Sequence, residues 1–82
     1  MTDFLDLADK IASQHNVSTD DLLAHNRRGH LLAARFELMW RARHELNMSL
    51  LKIARAMGRH HTTIMHGIDR HEHRRNLADR FD

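Results

Sequence analysis

Cysteine and proline are both missing from this 82-residue chain, which also has no tyrosine and only three glycines. Without cysteine there can be no disulfide, thiolate metal site or thiol nucleophile, and a reducing, cytoplasmic setting is expected. Without proline, and with Leu, Ala, Met, Arg and Asp outnumbering the β-branched residues, the composition points to an all-helical protein. No stretch approaches the ~20 apolar residues that span a bilayer, and the opening MTDFLDLADK carries acid where a secretory signal carries base. The length fits a single domain, residues 1–82, stabilised by packing alone.

Charge is present but unevenly placed. Residues 1–26 set five aspartates against Lys10 alone, a net of −4. Residues 27–82 set twelve arginines and lysines against six carboxylates, a net of +6 before any histidine is protonated. Such an asymmetry suits a polyanionic partner for the C-terminal two-thirds.

Apolar spacing divides the chain into helices. Thr2 can cap a first amphipathic helix within 1–17, with Phe4, Leu7, Ala8 and Ile11 on one stripe. Ser18 caps a short second helix with Asp20 and Asp21 in its first turn and Leu22 and Leu23 inside. Asn26-Arg27-Arg28-Gly29 reads as a basic loop. The longest helix is expected from about His30 to Leu46, with Leu31, Ala34, Leu38 and Met39 in the core and Phe36 and Trp40 at its margins. Ser49 caps a helix over Leu50–Met57, which Gly58 ends. A final helix starts near His60 or His61, with Ile64, Met65 and Ile68 inward, and a tail over 76–82 adds a last turn or short helix through which Leu77 and Phe81 dock back.

Nine histidines raise the question of a metal. There is no HExxH, no two histidines stand at i, i+4, and no cysteine could complete a site, so neither a metal nor any other cofactor is expected. No serine or cysteine nucleophile accompanies the histidine cluster, and none of the three glycines begins a GxxxxGK[ST] loop. An enzyme is therefore not expected, and neither is a bound nucleotide.

What the stretch GRHHTTIMH (58–66) does fit is a helix-turn-helix. Leu50–Met57 is the supporting helix, Gly58 the turn, and Arg59, His60, His61, Thr62 and Thr63 stand at the start of the recognition helix, where base edges in the major groove are met.

Asp21 through His66 resembles the C-terminal DNA-binding domain of the bacterial replication initiator DnaA. That family shows a recognition run of the form GGRDHTTVLH, a Ser-Leu-x-x-Ile-Gly helix before it, and a basic loop followed by Ala-Arg further upstream. The counterparts here are Gly58 to His66, Ser49-Leu50-Leu51-Lys52-Ile53-Ala54, Arg27-Arg28 and Ala34-Arg35. The resemblance implies a small helical bundle of the Trp-repressor and DnaA type, with residues 18–75 as its DNA-binding core, and it implies duplex DNA as partner. It places Arg27 in the minor groove with Arg28 beside it, and His61 and Thr62 on bases. Thr63, His66, Arg35 and Arg43 fall at phosphate positions, with Ser49 and Leu50 near the DNA backbone.

Two departures stand out. His60 occupies the place of an aspartate, so an acceptor has become a group able to donate to a purine N7, and a target other than the standard DnaA box is expected. The turn is one residue short, which bears on the angle between the two helices. The expected function is sequence-specific DNA binding by a transcription regulator, in the manner of phages and phage-like elements, located with the nucleoid in the cytoplasm. The rival expectation is a small helical interaction module that engages a partner such as RNA polymerase or a co-regulator through the first helix and Trp40.

Overall fold

A computed structural model describes residues 3–26 and 28–80, the side chains of 79 and 80 excepted. Thr2, Arg27 and Phe81, to which roles were assigned above, lie outside the described residues.

The first helix, α1, runs Phe4–Gln14, and Asp3 is its cap, its carboxylate accepting the Asp6 N–H at 2.9 Å. Leu7, Ala8, Ile11 and Ala12 bury its inner face. The helix stops at Asn16, which takes a left-handed φ of 57° while the Val17 N–H closes back on the Ala12 carbonyl at 3.0 Å. Asparagine tolerates that conformation better than any residue but glycine. A single helical turn later comes α2, Thr19–Leu23, capped by Ser18 as its sequence suggests and tied to α1 where the Thr19 hydroxyl donates to Asp9 at 2.6 Å.

A 3-10 turn over Gly29–Leu31 precedes α3, Leu32–Glu45, so the long helix begins two residues later than expected. Its inward stripe is Ala34, Arg35, Leu38, Met39 and Ala42. This helix is the centre of the fold: α1 and α2 pack on it, and so do α4 and α5. Asn47 ends the segment with a second left-handed residue, φ 54°. Ser49 then caps α4, Leu50–Met57, by accepting the Lys52 N–H at 3.1 Å, and Ile53, Ala54 and Met57 are buried.

Gly58 closes α4 with φ 64°, and the N–H groups of Gly58 and Arg59 return to the carbonyls of Arg55 and Ala54 at 3.3 and 2.9 Å. These two bonds satisfy carbonyls that the helix end would leave bare. The His25 ring presses on the same turn, its Nε2 donating to the Met57 carbonyl at 3.1 Å. The last helix, α5, runs His61–Arg80, so residues 76–80 continue it and form no separate element.

The inner line of α5 differs from expectation at one place. Ile64 and Gly67 are buried and Ile68 is half-buried, while Met65, expected inside, is 47% exposed. The reason is Gly67, where a Cβ would stand 2.2 Å from Met39 Sδ and 3.0 Å from Phe36 Cδ1. The helix lies so close to α3 at that point that its contact line is Ile64, Gly67, Ile68 and His71, and Met65 is rotated out. Further along, Trp40 of α3 sits beneath Arg75, whose Cζ is 4.2 Å from the ring centroid, and its indole N–H donates to Glu72. The result is an all-helical domain of five α-helices among the described residues, around one core to which every α-helix contributes.

The tight turn generates a stability prediction. An alanine at 58 would have to adopt a left-handed backbone, at roughly 1–2 kcal/mol, with its Cβ 2.8 Å from His25 Nε2. Gly58→Ala should therefore lower the melting temperature by about 5–10 °C, whereas Gly29→Ala, where nothing stands within 4 Å of a new Cβ, should leave it within a degree or two. Thermal unfolding followed by circular dichroism reads both.

Candidate nucleic-acid interface

The helices α4 and α5 and the turn between them form the expected helix-turn-helix, and the structure shows what holds the tip of α5. His60 is the helix cap. Its Nδ1 accepts the Thr62 N–H at 3.2 Å and lies 2.8 Å from the Thr62 hydroxyl, while its carbonyl accepts from the N–H groups of Thr63 and Ile64 at 3.0 and 3.3 Å. A backbone N–H can only donate, so Nδ1 is the acceptor and the neutral ring carries its proton on Nε2. The ring of His61 stacks on that of His60 with centroids 4.3 Å apart. His60, His61, Thr62 and Thr63 are all exposed. The first turn of α5 thus presents a cluster of hydrogen-bonding groups to solvent, with the positive end of the helix dipole behind them.

The basic loop sits beside this tip. A cleft of about 290 Å3 runs between them, lined by Asn26 and Leu32 on one side and Arg59 and Thr63 on the other. Arg28 is exposed at the loop's end, where its N–H reaches the Asn26 side chain at 3.4 Å.

Arg35, expected at phosphate, is corrected by the structure. It is 2% exposed and makes a clasp on the chain that leads into the loop. Nε donates to the Leu22 carbonyl at 2.9 Å, Nη1 to the Asn26 carbonyl at 2.9 Å, and Nη2 to the carbonyls of Asp21 and Ala24 at 2.8 and 2.9 Å and to the Asn26 side chain at 3.1 Å. Burial, and then the nearby charge of Arg59, lower its pKa, while Asp21 works the other way. A guanidinium so enclosed has no face for DNA. Its register predicts this, since 35 falls between Leu31 and Ala34 on one side and Leu38 and Met39 on the other, on the inward stripe of α3.

Arg59 is also drawn inward relative to its expected place at the groove. It is half-buried, with one Nη2 N–H donating to the Ala24 carbonyl at 3.2 Å, so it bridges the tip of α5 and the loop instead of projecting freely. Arg43 is exposed and donates to the Met48 carbonyl at 3.2 Å, which puts it next to Ser49 and Leu50 at the start of α4. There the first N–H groups of the helix lack intrahelical partners, a setting that suits phosphate. His66, exposed, lies one turn above Thr62 and packs edge-on against Phe36 at 6.4 Å. The structure therefore brings together His60, His61, Thr62, Thr63 and His66 on α5 with the loop at Arg28, and sets Arg43, Ser49 and Leu50 at the entrance of α4. Among the described residues no group of three or more His, Cys, Asp or Glu side chains is placed to hold a metal. The role of His25 against the turn escaped the sequence reading, because nothing local marks a contact 32 residues away.

Comparison with known proteins follows the same outline. The profile of the family described as the bacterial DnaA protein helix-turn-helix matches residues 6–70. Among curated proteins, the chromosomal replication initiator protein DnaA of Oenococcus oeni is 36% identical over 66 residues, which is 79% of this chain and 15% of that protein. The chain thus spans about 15% of the length of the curated relative it matches. No solved structure matches it.

The clasp makes its own prediction. Arg35→Ala leaves several buried carbonyls without donors, each worth about 1–3 kcal/mol, so it should destabilise the fold by roughly 3 kcal/mol or more. Arg35→Lys, which cannot reproduce the fork, should fall only slightly short of that. Urea unfolding measures both. Unchanged stability with weakened binding to DNA would return Arg35 to the phosphate role.

Proposed function

The chain belongs to the bacterial DnaA helix-turn-helix family, which binds double-stranded DNA through this unit, and from that premise we propose that it is a sequence-specific transcription regulator, at work in a phage or phage-like element. The observation that carries the reading is the exposed, capped tip of α5 standing beside the arginine loop. His60, His61 and Thr62 meet base edges in the major groove, with Arg59 at their flank, while Arg27 and Arg28 enter the minor groove. Arg43, Ser49, Leu50, Thr63 and His66 hold phosphates on either side. Residues 1–82 act as one unit in which the helix within 1–17 braces α3, 18–75 makes the contacts, and 76–80 of the 76–82 tail extend α5.

Two features support a regulator over an initiator for these residues. No GxxxxGK[ST] loop occurs in them, so ATP-driven work is not theirs. His60 offers a donor at Nε2 where the family offers a carboxylate, which turns the preferred base from one with a free amino group towards a purine N7. No described helix is long and apolar enough to cross a membrane, and the nucleoid is the place such a protein would work. In the rival reading, a docking module built on the first helix and Trp40, the Trp40 ring is partly engaged within the chain by Arg75 and Glu72.

Titration against duplex DNA over a salt series tests the proposal. Affinity should fall on the order of 10²-fold or more between about 50 and 200 mM salt, because each neutralised phosphate releases counterions. Absent or salt-insensitive binding would leave the interaction module standing. Selection from a random duplex pool then reads His60 itself. The protein should enrich a purine at one position, and His60→Asp, which keeps the cap, should shift that position alone towards cytosine, with stability changed by less than about 0.5 kcal/mol. Identical selected sites would remove His60 from the readout.

A further inference from the structure

Two surfaces of opposite charge are left without partners on α1 and α5. On α1, Leu5 is 59% exposed, with the exposed Asp6 and Asp9 beside it on the same face of the helix. The Asp9 carboxylate takes the Thr19 hydroxyl on one oxygen, and no aspartate of residues 3–26 enters an ion pair among the described residues. On α5, Arg70 and Arg74, with His66 and His73, rim a groove of about 370 Å3 floored by Leu32 and Leu77. These two leucines are 46% and 40% exposed, and neither arginine enters an ion pair among the described residues.

We propose that this groove seats α1 of a second copy of the chain, with Leu5 on the leucine floor and Asp6 and Asp9 against Arg70 and Arg74. A molecule's own α1 cannot fill it, since Leu7, Ala8, Ile11 and Ala12 fasten that helix to the core on the α2 side of α3. Duplex phosphates would meet the arginines and leave the apolar floor uncovered. A leucine with two carboxylates beside it answers both features of the groove at once, and the acidic first third of the chain supplies it.

Because knob and groove are different patches of one molecule, the contact is head-to-tail, and copies add in one direction. One helix in a groove buries well under the ~1,200 Å2 of a stable interface. Self-association is therefore weak in free solution, and it strengthens where neighbouring DNA sites hold copies close together. The contact itself does not require DNA.

Sedimentation equilibrium of the full chain without DNA tests this. At about 0.05–1 mM protein in low salt, the average mass should rise above the 9.7 kDa of the monomer, and it should fall back in about 0.5 M salt, where exposed charges are screened. The double variants Leu5→Lys/Asp6→Lys and Arg70→Glu/Arg74→Glu should each stay monomeric, with helical content unchanged by circular dichroism. Their equimolar mixture should associate again, since each supplies the charge the other needs. If any double variant lost its fold, Leu5→Ser, at an exposed position outside the core, would stand in and should reduce association at least threefold. A monomeric wild type at about 1 mM, or a mixture that fails to associate while the wild type does, would overturn the proposal.

Discussion

The guanidinium of Arg35 determines where the chain leading into the basic loop lies against the central helix. Four backbone carbonyls, of Asp21, Leu22, Ala24 and Asn26, point at one planar cation on the central helix. Those carbonyls belong to the end of α2 and the strand of chain leading to the basic loop, a stretch too short and too polar to hold a shape through packing. A fork of fixed geometry does it instead. Arg59 reaches the same Ala24 carbonyl from the other side, so the loop and the start of the recognition helix are referred to a common anchor. Two like charges drawn to one cluster of carbonyls repel each other, and the pairing holds because the aligned dipoles at the C-terminal end of α2 are negative.

Much of this was legible from residue order. Ser18, Ser49 and Gly58 mark helix boundaries by local hydrogen-bonding and backbone geometry, which needs no knowledge of the rest of the chain. The cores of α1 and α4 follow from apolar spacing for the same reason. What stayed hidden depends on distant partners. The resemblance to the DnaA domain assigned Arg35 to phosphate, and the inward register of α3 was the only sign that it would be buried. Met65 looked internal by hydropathy, yet the approach of α3 and α5 at Gly67 rotates it outward. His25, which no local pattern singles out, supports a turn far along the chain.

The histidine cluster illustrates how a helix cap and an exposed hydrogen-bonding group combine in one side chain. A helix start needs an acceptor, and aspartate, asparagine, serine and threonine usually supply it. Histidine can do so through Nδ1 alone, which leaves Nε2 with the opposite hydrogen-bonding sense. An aspartate in the same place presents acceptors in both directions. The change from one to the other preserves the fold's demand while inverting what the surface offers.

The close approach at Gly67 has a mechanical consequence. Gly67 is six residues beyond the first residue of α5, about 9 Å of helix at 1.5 Å per residue, and there the helix lies too close to α3 to admit a Cβ. It therefore acts as a fulcrum with the recognition tip at the end of a short lever. A tilt of about 10° there would carry the tip by roughly 1.6 Å, enough to move a hydrogen-bonding group from one base pair's edge to a position between two. Volume added or removed beneath the fulcrum, at the buried Met39, would aim the helix from within the core. The binding preference of such a domain can accordingly drift through its interior, and two relatives with identical tips need not read the same site.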